Sequence, residues 1–263
     1  MAYALNYFMV STCGVVLAGG WGTRLLPLTT SMNKHLLPVY DEPMIFKSLA
    51  TLQRMGVVEI MIVLGGHSGN SFFHLLGDGH RFGLSIRYAF QEKAGGIAEA
   101  LNLTREFVGE RNVAVILGDN VFEESMKKNL ERFEEDADFD CYLFLKEVSN
   151  PSEFGIAWLD GDGSITHMLE KPEEPDSNMA ITGLYFYTHE VFNLIDKSIL
   201  QGGYSARGEL EITDINRFFM ETGRAKGVIF DCHWADCGTI DALHETSTLV
   251  KSWDKGPWLI SKV

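Results

Sequence analysis

Four short apolar runs, at residues 14–18, 60–64, 86–90 and 113–117, recur through the first half of the chain with amphipathic stretches between them. That alternation restricts the fold more than any other feature. Five-residue runs of β-branched and aliphatic side chains, bounded by glycine or polar groups, read as strands buried on both faces. The stretches between them read as helices. One starts at Pro43, a favourable first-turn residue, with Ile45, Phe46, Leu49 and Leu52 on one face. Others cover about 68–76, 97–107 and 125–135. Strand–helix alternation predicts right-handed βαβ units and a Rossmann-like, doubly wound α/β sheet, mixed but mainly parallel, covered on both faces.

The second half changes character and reads as a β-rich insertion followed by helices. Residues 140–146, 155–159, 164–169, 181–187 and 225–230 form strand patterns, and helices are expected near 190–199, 209–222 and 240–251. Asp160-Gly-Asp-Gly163 resembles a calcium loop for four residues only. An EF-hand needs Gly and Glu where Ile165 and Lys171 stand, so a hairpin turn is expected. No linker rich in Pro, Gly or Ser and no internal repeat interrupts the chain, which predicts one domain over 1–263 with halves at 13–138 and 139–252. Residues 253–263 are too few to form a domain.

Charge narrows the partners. Lys and Arg number 22 against 36 Asp and Glu, a net charge of −14, which disfavours nucleic acid as a partner. Four cysteines without paired spacing make no disulfide framework. Cys232 and Cys237 flank His233 and Asp236, but neither a CxxC pair nor an HExxH helix is present, so zinc is not expected. No apolar run reaches 18 residues, and residues 1–12 lack the regions of a signal peptide, which together predict a cytoplasmic protein off the membrane. Met9 is an alternative start.

The strongest local feature follows the first strand, in Leu17-Ala-Gly-Gly-Trp-Gly-Thr-Arg-Leu-Leu-Pro-Leu-Thr29. Glycines at 19, 20 and 22 let backbone N–H groups approach an anion closely. The loop is neither a Walker loop nor a dinucleotide fingerprint: Leu25 stands where the third glycine belongs, and Pro27 bars a regular helix running straight out of it. Lys34 follows between Pro27 and Pro38, which are expected to hold the segment extended. Asp119 lies just past the 113–117 run, where open α/β sheets place ligand groups.

These blocks resemble the sugar-1-phosphate nucleotidylyltransferases, whose pattern LAGGxGTRLxPLT…KxLLP they match nearly letter for letter. The resemblance continues through residues 38–44, 76–79, 117–120, 170–172, 182–187 and 206–214, and these later blocks look like the glucose-1-phosphate thymidylyltransferase branch. It covers about residues 13–250. It implies transfer of a deoxythymidylyl group from dTTP to glucose-1-phosphate, with Mg2+, in a homo-oligomer. By the same resemblance the 13–138 half binds the nucleotide and the 139–252 half the sugar phosphate. Leu17, Gly19, Gly20, Gly22 and Thr23 would cradle the triphosphate, and Gln91 and Gly96 would read the base. Arg24 and Lys34 would stabilise the reacting phosphates, and Asp119 and Asp236 would bind the metal. Asn120, Gly155, Glu170 and Ile181 would contact the hexose, with Lys171 and Arg207 clamping its phosphate.

The chemistry suits such a residue set. A phosphate monoester has a second pKa of about 6, so the nucleophile is already anionic at neutral pH and needs no general base. Positioning, cations and oriented N–H donors must do the catalysis. Four positions depart from the family pattern: Trp21, His35, Ala94 and Cys237. His35 and Ala94 fall near the expected ribose and base positions and leave the nucleotide open. A uridylyl or other nucleotidylyl transfer to a different hexose-1-phosphate is the neighbouring reading. A non-catalytic sugar-nucleotide-binding subunit is a third, but such subunits lose the loop Arg, the Lys or a metal Asp. The match ends before the C-terminal helical segment that longer members use for allosteric product binding, which weakens that expectation here.

Overall fold

A computed structural model describes residues 12–66 and 69–253, so the expectations for 1–11 and 254–263 lie outside the described residues. In chain order the strands are β1 (Cys13–Ala18), β2 (Pro38–Val39), β3 (Glu42–Pro43), β4 (Glu59–Gly65), β5 (Ser85–Gln91), β6 (Val113–Leu117), β7 (Asn120–Phe122), β8 (Cys141–Glu147), β9 (Gly155–Leu159), β10 (Ile165–Glu170), β11 (Met179–Tyr187), β12 (Ala225–Ile229) and β13 (Trp234–Asp236). The helices are α1 (Met44–Arg54), α2 (Gly69–Leu76), α3 (Ile97–Asn102), α4 (Arg105–Val108), α5 (Lys127–Glu135), α6 (Glu190–Leu200), α7 (Ile212–Glu221) and α8 (Ile240–Ser252).

One mixed sheet runs through both halves in the order β10-β9-β11-β6-β1-β4-β5. Strands β6, β1, β4 and β5 are parallel, with Val15 opposite Met61 on one side and Val115 on the other. Long β11 lies antiparallel to β6 and also pairs with β9 and β8, and β12 extends the sheet beyond β8. Between Ile181 and Tyr185 the β11–β8 register slips, leaving residues 182–184 bulged. A bulge re-aims the backbone, and here it turns the Gly183 N–H toward the site. A second ribbon, β7 with β13, sets Asn120 opposite Asp236.

Alternation along β1 splits the core in two. Val16 and Ala18 pack with Ile45, Phe46 and Leu49 of α1 on one face, while Cys13, Val15 and Leu17 pack with Leu101 of α3, Ile195 of α6 and Ile215 of α7 on the other. Full burial of each such aliphatic side chain contributes about 1.5–3 kcal/mol. A third cluster joins Leu25 and Leu37 to Cys237 and to Leu243 and Val250 of α8, fastening the glycine-rich loop to the last helix. Cys237 is therefore a core residue, its thiol pushed up to about 12 by burial, whereas Cys232 packs against the first cluster.

The longer strands and helices follow the sequence reading closely; short β2, β3, β7 and β13 were not expected, and three further differences have local causes. The helix expected over 97–107 is two short ones, because the Thr104 hydroxyl donates to Leu101 O and ends α3. Helix α7 begins at Ile212 rather than near 209, because 204–210 closes into a turn in which Ser205 N–H donates to Glu209 O. Lys34–Leu36, expected extended, forms a 3-10 turn: Asn33 Oδ1 accepts the His35 N–H at 2.9 Å and caps it. The turn at Asp160–Gly163 joins β9 to β10 as expected, with Asp160 Oδ1 accepting the Ser164 N–H. Among the described residues, no helix is long and apolar enough to cross a membrane.

Candidate active site

The site lies at the C-terminal ends of β1 and β6. Beyond Ala18 the chain turns through glycines that leave room for other side chains. A Cβ on Gly20 would lie 3.1 Å from Lys34 Cε, and one on Gly22 would lie 2.8 Å from Lys34 Cβ. Gly22 also sits at φ +66, a backbone region glycine tolerates best, and its carbonyl accepts the Thr29 hydroxyl. No α-helix runs straight out of the loop, as expected from Pro27, and the next one is α1.

Lys34 is laid along this loop and forms an ion pair with Asp119, which is buried. Burial alone would lower the Lys34 ammonium, but the Asp119 carboxylate holds it above its ordinary value. Burial would likewise raise Asp119, and Lys34 instead holds it well below the carboxylate range. The other Asp119 oxygen accepts from Asn120 Nδ2 at 3.1 Å. Asn120 Oδ1 accepts twice, from Trp234 Nε1 at 2.7 Å and from the bulged Gly183 N–H at 2.9 Å. The amide expected to touch a hexose is thus largely spent on fixing Asp119 and Trp234.

The β7–β13 ribbon brings Asp236 beside Asp119, and Cys237 N–H donates to Asp119 O. Burial, and then the Asp119 charge, push the Asp236 carboxyl up to about 6. Its Oδ1 accepts the Gly238 N–H at 2.7 Å. Gly238 also admits Arg24: a Cβ there would lie 2.6 Å from Arg24 Nη2. Arg24 Nη1 pairs with Glu153 at 3.3 Å. His35 is buried, its Nδ1 lies 2.8 Å from Asn33 Oδ1, and burial, reinforced by Lys34, pushes its pKa down to about 3. The neutral ring therefore donates from Nδ1, because Asn33 Oδ1 can only accept.

Two adjoining cavities frame these groups. One, about 250 Å3, is lined by Leu17, Gly19, Gly20, Lys34, His35, Gln91, Gly96 and Arg207. The other, about 190 Å3, is lined by Arg24, Asn120, Gly155, Ile181, Trp234 and Asp236. Ile97, Leu117, Asp119, Glu170 and Lys171 line both. Gly22 and Thr23 line neither, and Gly22 instead supports Lys34. Glu170 Oε2 accepts the Thr213 hydroxyl at 2.6 Å, over Gly155, whose missing Cβ leaves the space between them open. Lys171 stands at φ +44, an uncommon conformation for a side-chain-bearing residue that clusters at functional sites. Arg207 Nη2 donates to buried Glu211 at 2.8 Å and has Glu209 and Glu170 within 4 Å.

A backbone staple ties the two sides together. Leu210 N–H donates to Gly95 O at 2.8 Å, and Ala98 N–H donates back to Leu210 O at 3.2 Å. Gly96, at φ +95, has no room for a Cβ, which would lie 2.5 Å from Leu210 O. Sequence reasoning did not single out Thr213, Trp234, Glu153 or Glu99 as site residues. Thr213 stands inside the matched block 206–214, and Trp234 two residues before Asp236, which was the available signal.

Cations and glycine-exposed amides converging beside paired carboxylates, at the carboxyl end of a parallel sheet, mark an α/β enzyme that handles phosphate groups. The sequence pattern of the nucleotidyl transferase family matches residues 13–252, and the chain belongs to that family. It is 39% identical to a glucose-1-phosphate thymidylyltransferase of Neisseria meningitidis over 91% of this chain and 82% of that one. It is 37% identical to one of Mycobacterium tuberculosis over 92% and 83%. A Bacillus anthracis protein assigned to the glucose-1-phosphate thymidylyltransferases, solved in complex with a sucrose, superposes with a TM-score of 0.87 at 38% identity, covering 95% of this chain and 99% of that one. A UDP-glucose pyrophosphorylase complexed with UDP-glucose shares the fold at a TM-score of 0.80 and 23% identity, over 91% and 98%.

Proposed function

We propose that this chain transfers a deoxythymidylyl group from dTTP to glucose-1-phosphate, releasing pyrophosphate and forming dTDP-glucose. The observation that carries the reading is the Lys34–Asp119–Asp236 cluster at the seam of the two cavities, with phosphate-binding groups on either side. In this reading the triphosphate lies along Gly19 and Gly20, and the hexose phosphate reaches Arg207 and Lys171 from the 190 Å3 side. Glu170 and the backbone around Gly155 and Ile181 face the hexose, while Asn120 lines the same cavity and holds Asp119 and Trp234 in place.

The sugar phosphate oxygen attacks the α-phosphorus, and the bond to pyrophosphate breaks. Lys34 meets the negative charge that builds on the α-phosphate, where a buried cation stabilises the transition state more than the ground state. Arg24 meets charge on the departing pyrophosphate after leaving Glu153. Asp119 and Asp236 fit Mg2+: both are hard oxygen donors, and the raised Asp236 carboxyl reports a carboxylate pair short of positive charge. When bound, the metal would neutralise phosphate charge. Gln91 supports a pyrimidine bearing an N3–H. Its Nε2 donates to Gly96 O at 3.3 Å and to Glu99 Oε1 at 3.2 Å, which leaves Oε1 as an acceptor over Gly19. Thymine and uracil both offer that N3–H, so uridylyl transfer is the competing reading.

The test mixes the full chain with Mg2+, glucose-1-phosphate and equimolar dTTP, UTP, CTP, ATP and GTP, with nucleotide sugars identified by mass. Dominant dTDP-glucose is expected. A mainly UDP-glucose product would move the nucleotide assignment, and no pyrophosphate from any pair would overturn the reading.

A further inference from the structure

We propose that Glu99 is a positioning residue that sets base specificity by fixing which end of the Gln91 amide faces the cleft. The inference rests on the reading of Gln91 as the base-facing residue. A primary amide has a donor end and an acceptor end of nearly equal shape, so only its neighbours decide which way it points. Around Gln91 both neighbours on the buried side can only accept: the Gly96 carbonyl at 3.3 Å and the Glu99 carboxylate at 3.2 Å. Both Nε2 hydrogens are therefore spent on the protein. Turning the amide over would set Oε1 against two acceptors, one of them charged.

The surroundings are built to admit that carboxylate. Gly95 carries no Cβ, and one built there would overlap the Glu99 carboxylate. Glu99 itself sits in the first turn of α3, which starts at Ile97, so its backbone is held while its side chain reaches back to the loop. Gln91 is 9% exposed and ends β5, which leaves its amide little freedom apart from the flip.

The consequence is a chemical filter. With Oε1 outward, the cleft accepts a hydrogen bond from an N3–H, which thymine and uracil possess. Cytosine presents a bare N3 lone pair to the same spot, so two acceptors meet. Sites that must leave a buried polar group unpaired reject such analogues strongly. Glutamine at position 99 would end the constraint, because its own amide can offer a donor to the turned-over Gln91.

Glu99→Gln keeps the shape and removes the charge. In the full-length enzyme, kcat/KM for dTTP relative to dCTP is expected to fall about tenfold or more, with most of the change arising from better use of dCTP. The Kd ratio of the unreactive diphosphates dTDP and dCDP should shift in the same direction, a readout that a merely structural role would not move. Glu99→Asp should restore part of the discrimination. Should Glu99→Gln not fold, Glu99→Ala takes its place with the same expectation. Gln91→Ala is measured alongside. If it leaves the dTTP:dCTP ratio at the wild-type value, the base-pocket reading itself fails. If it collapses the ratio while the Glu99 variants leave it unchanged, the base pocket stands and the role of Glu99 is overturned.

Discussion

Around β1, β5 and β6 the cleft is shaped by side chains that are missing: a Cβ on Gly22 would collide with Lys34, and one on Gly19 or Gly20 would crowd Gln91 or Lys34. Around β9, β10 and α7 it is shaped by side chains that brace one another, Thr213 on Glu170 and Glu211 on Arg207. The parallel part presents backbone and one deeply set lysine, a surface suited to the repeating charge of a polyphosphate. The antiparallel part presents individually aimed polar groups, suited to a ligand whose identity lies in the direction of its hydroxyls. Under the proposed function, recognition of charge by backbone and recognition of hydroxyls by braced side chains occupy opposite walls of one cleft.

That contrast predicts a graded series of defects, all of which assume the proposed transfer. Lys34→Ala should be the most severe, lowering kcat by about 10³-fold with KM for both substrates little changed, because the cation acts on charge that develops in the transition state. A defect confined to KM would place Lys34 with the ground-state binding groups instead. Asp236→Asn should cost about 10²-fold in turnover at saturating Mg2+. It should also make the metal-free protein more stable at pH 7. Burial and Asp119 raise the folded-state carboxyl to about 6, so the cost of this group to folding builds as the pH rises from its unfolded value, about 4, to 6 and is complete above that. The gain, about 3 kcal/mol by linkage, should fade as the pH falls from 6 toward 4, as thermal melts across that range would reveal. Arg207→Gln should be mildest, raising KM for the hexose phosphate about tenfold while leaving that of the triphosphate within about twofold. Equal losses for both substrates would erase the division between the walls.

The centre of the sheet was legible because β1, β4 and β6 are largely buried on both faces, so 14–18, 60–64 and 113–117 stand out as apolar runs without help from long-range contacts, whereas edge strand β5 exposes Arg87 and Phe90 and shows only a broken run at 86–90. The β7–β13 ribbon was not, because three-residue strands such as Asn120–Phe122 and Trp234–Asp236 leave no periodicity to read. Lys34 and Asp119 were each recognisable within their motifs, yet their ion pair spans 85 positions and exists only because β1 and β6 are neighbours. The extended reading around Lys34 failed on a local competitor: two flanking prolines restrict their immediate predecessors, whereas Asn33 caps the intervening turn directly. Glu99 gave no signal, since a glutamate in a first helical turn is ordinary and its partner Gln91 lies in a different element.

The exchange of hydrogen bonds between Leu210 and the Gly95–Ala98 segment bears on how this enzyme can diverge. Surface loops normally tolerate added or deleted residues. Here a residue gained or lost between Gln91 and Gly95 would slide the donor and acceptor past Leu210, and one between Ser205 and Glu209 would do the same from the other side. Descendants of this chain can change the loop residues other than Gly95, Gly96 and those facing the cleft, but must conserve the lengths of the two loops together.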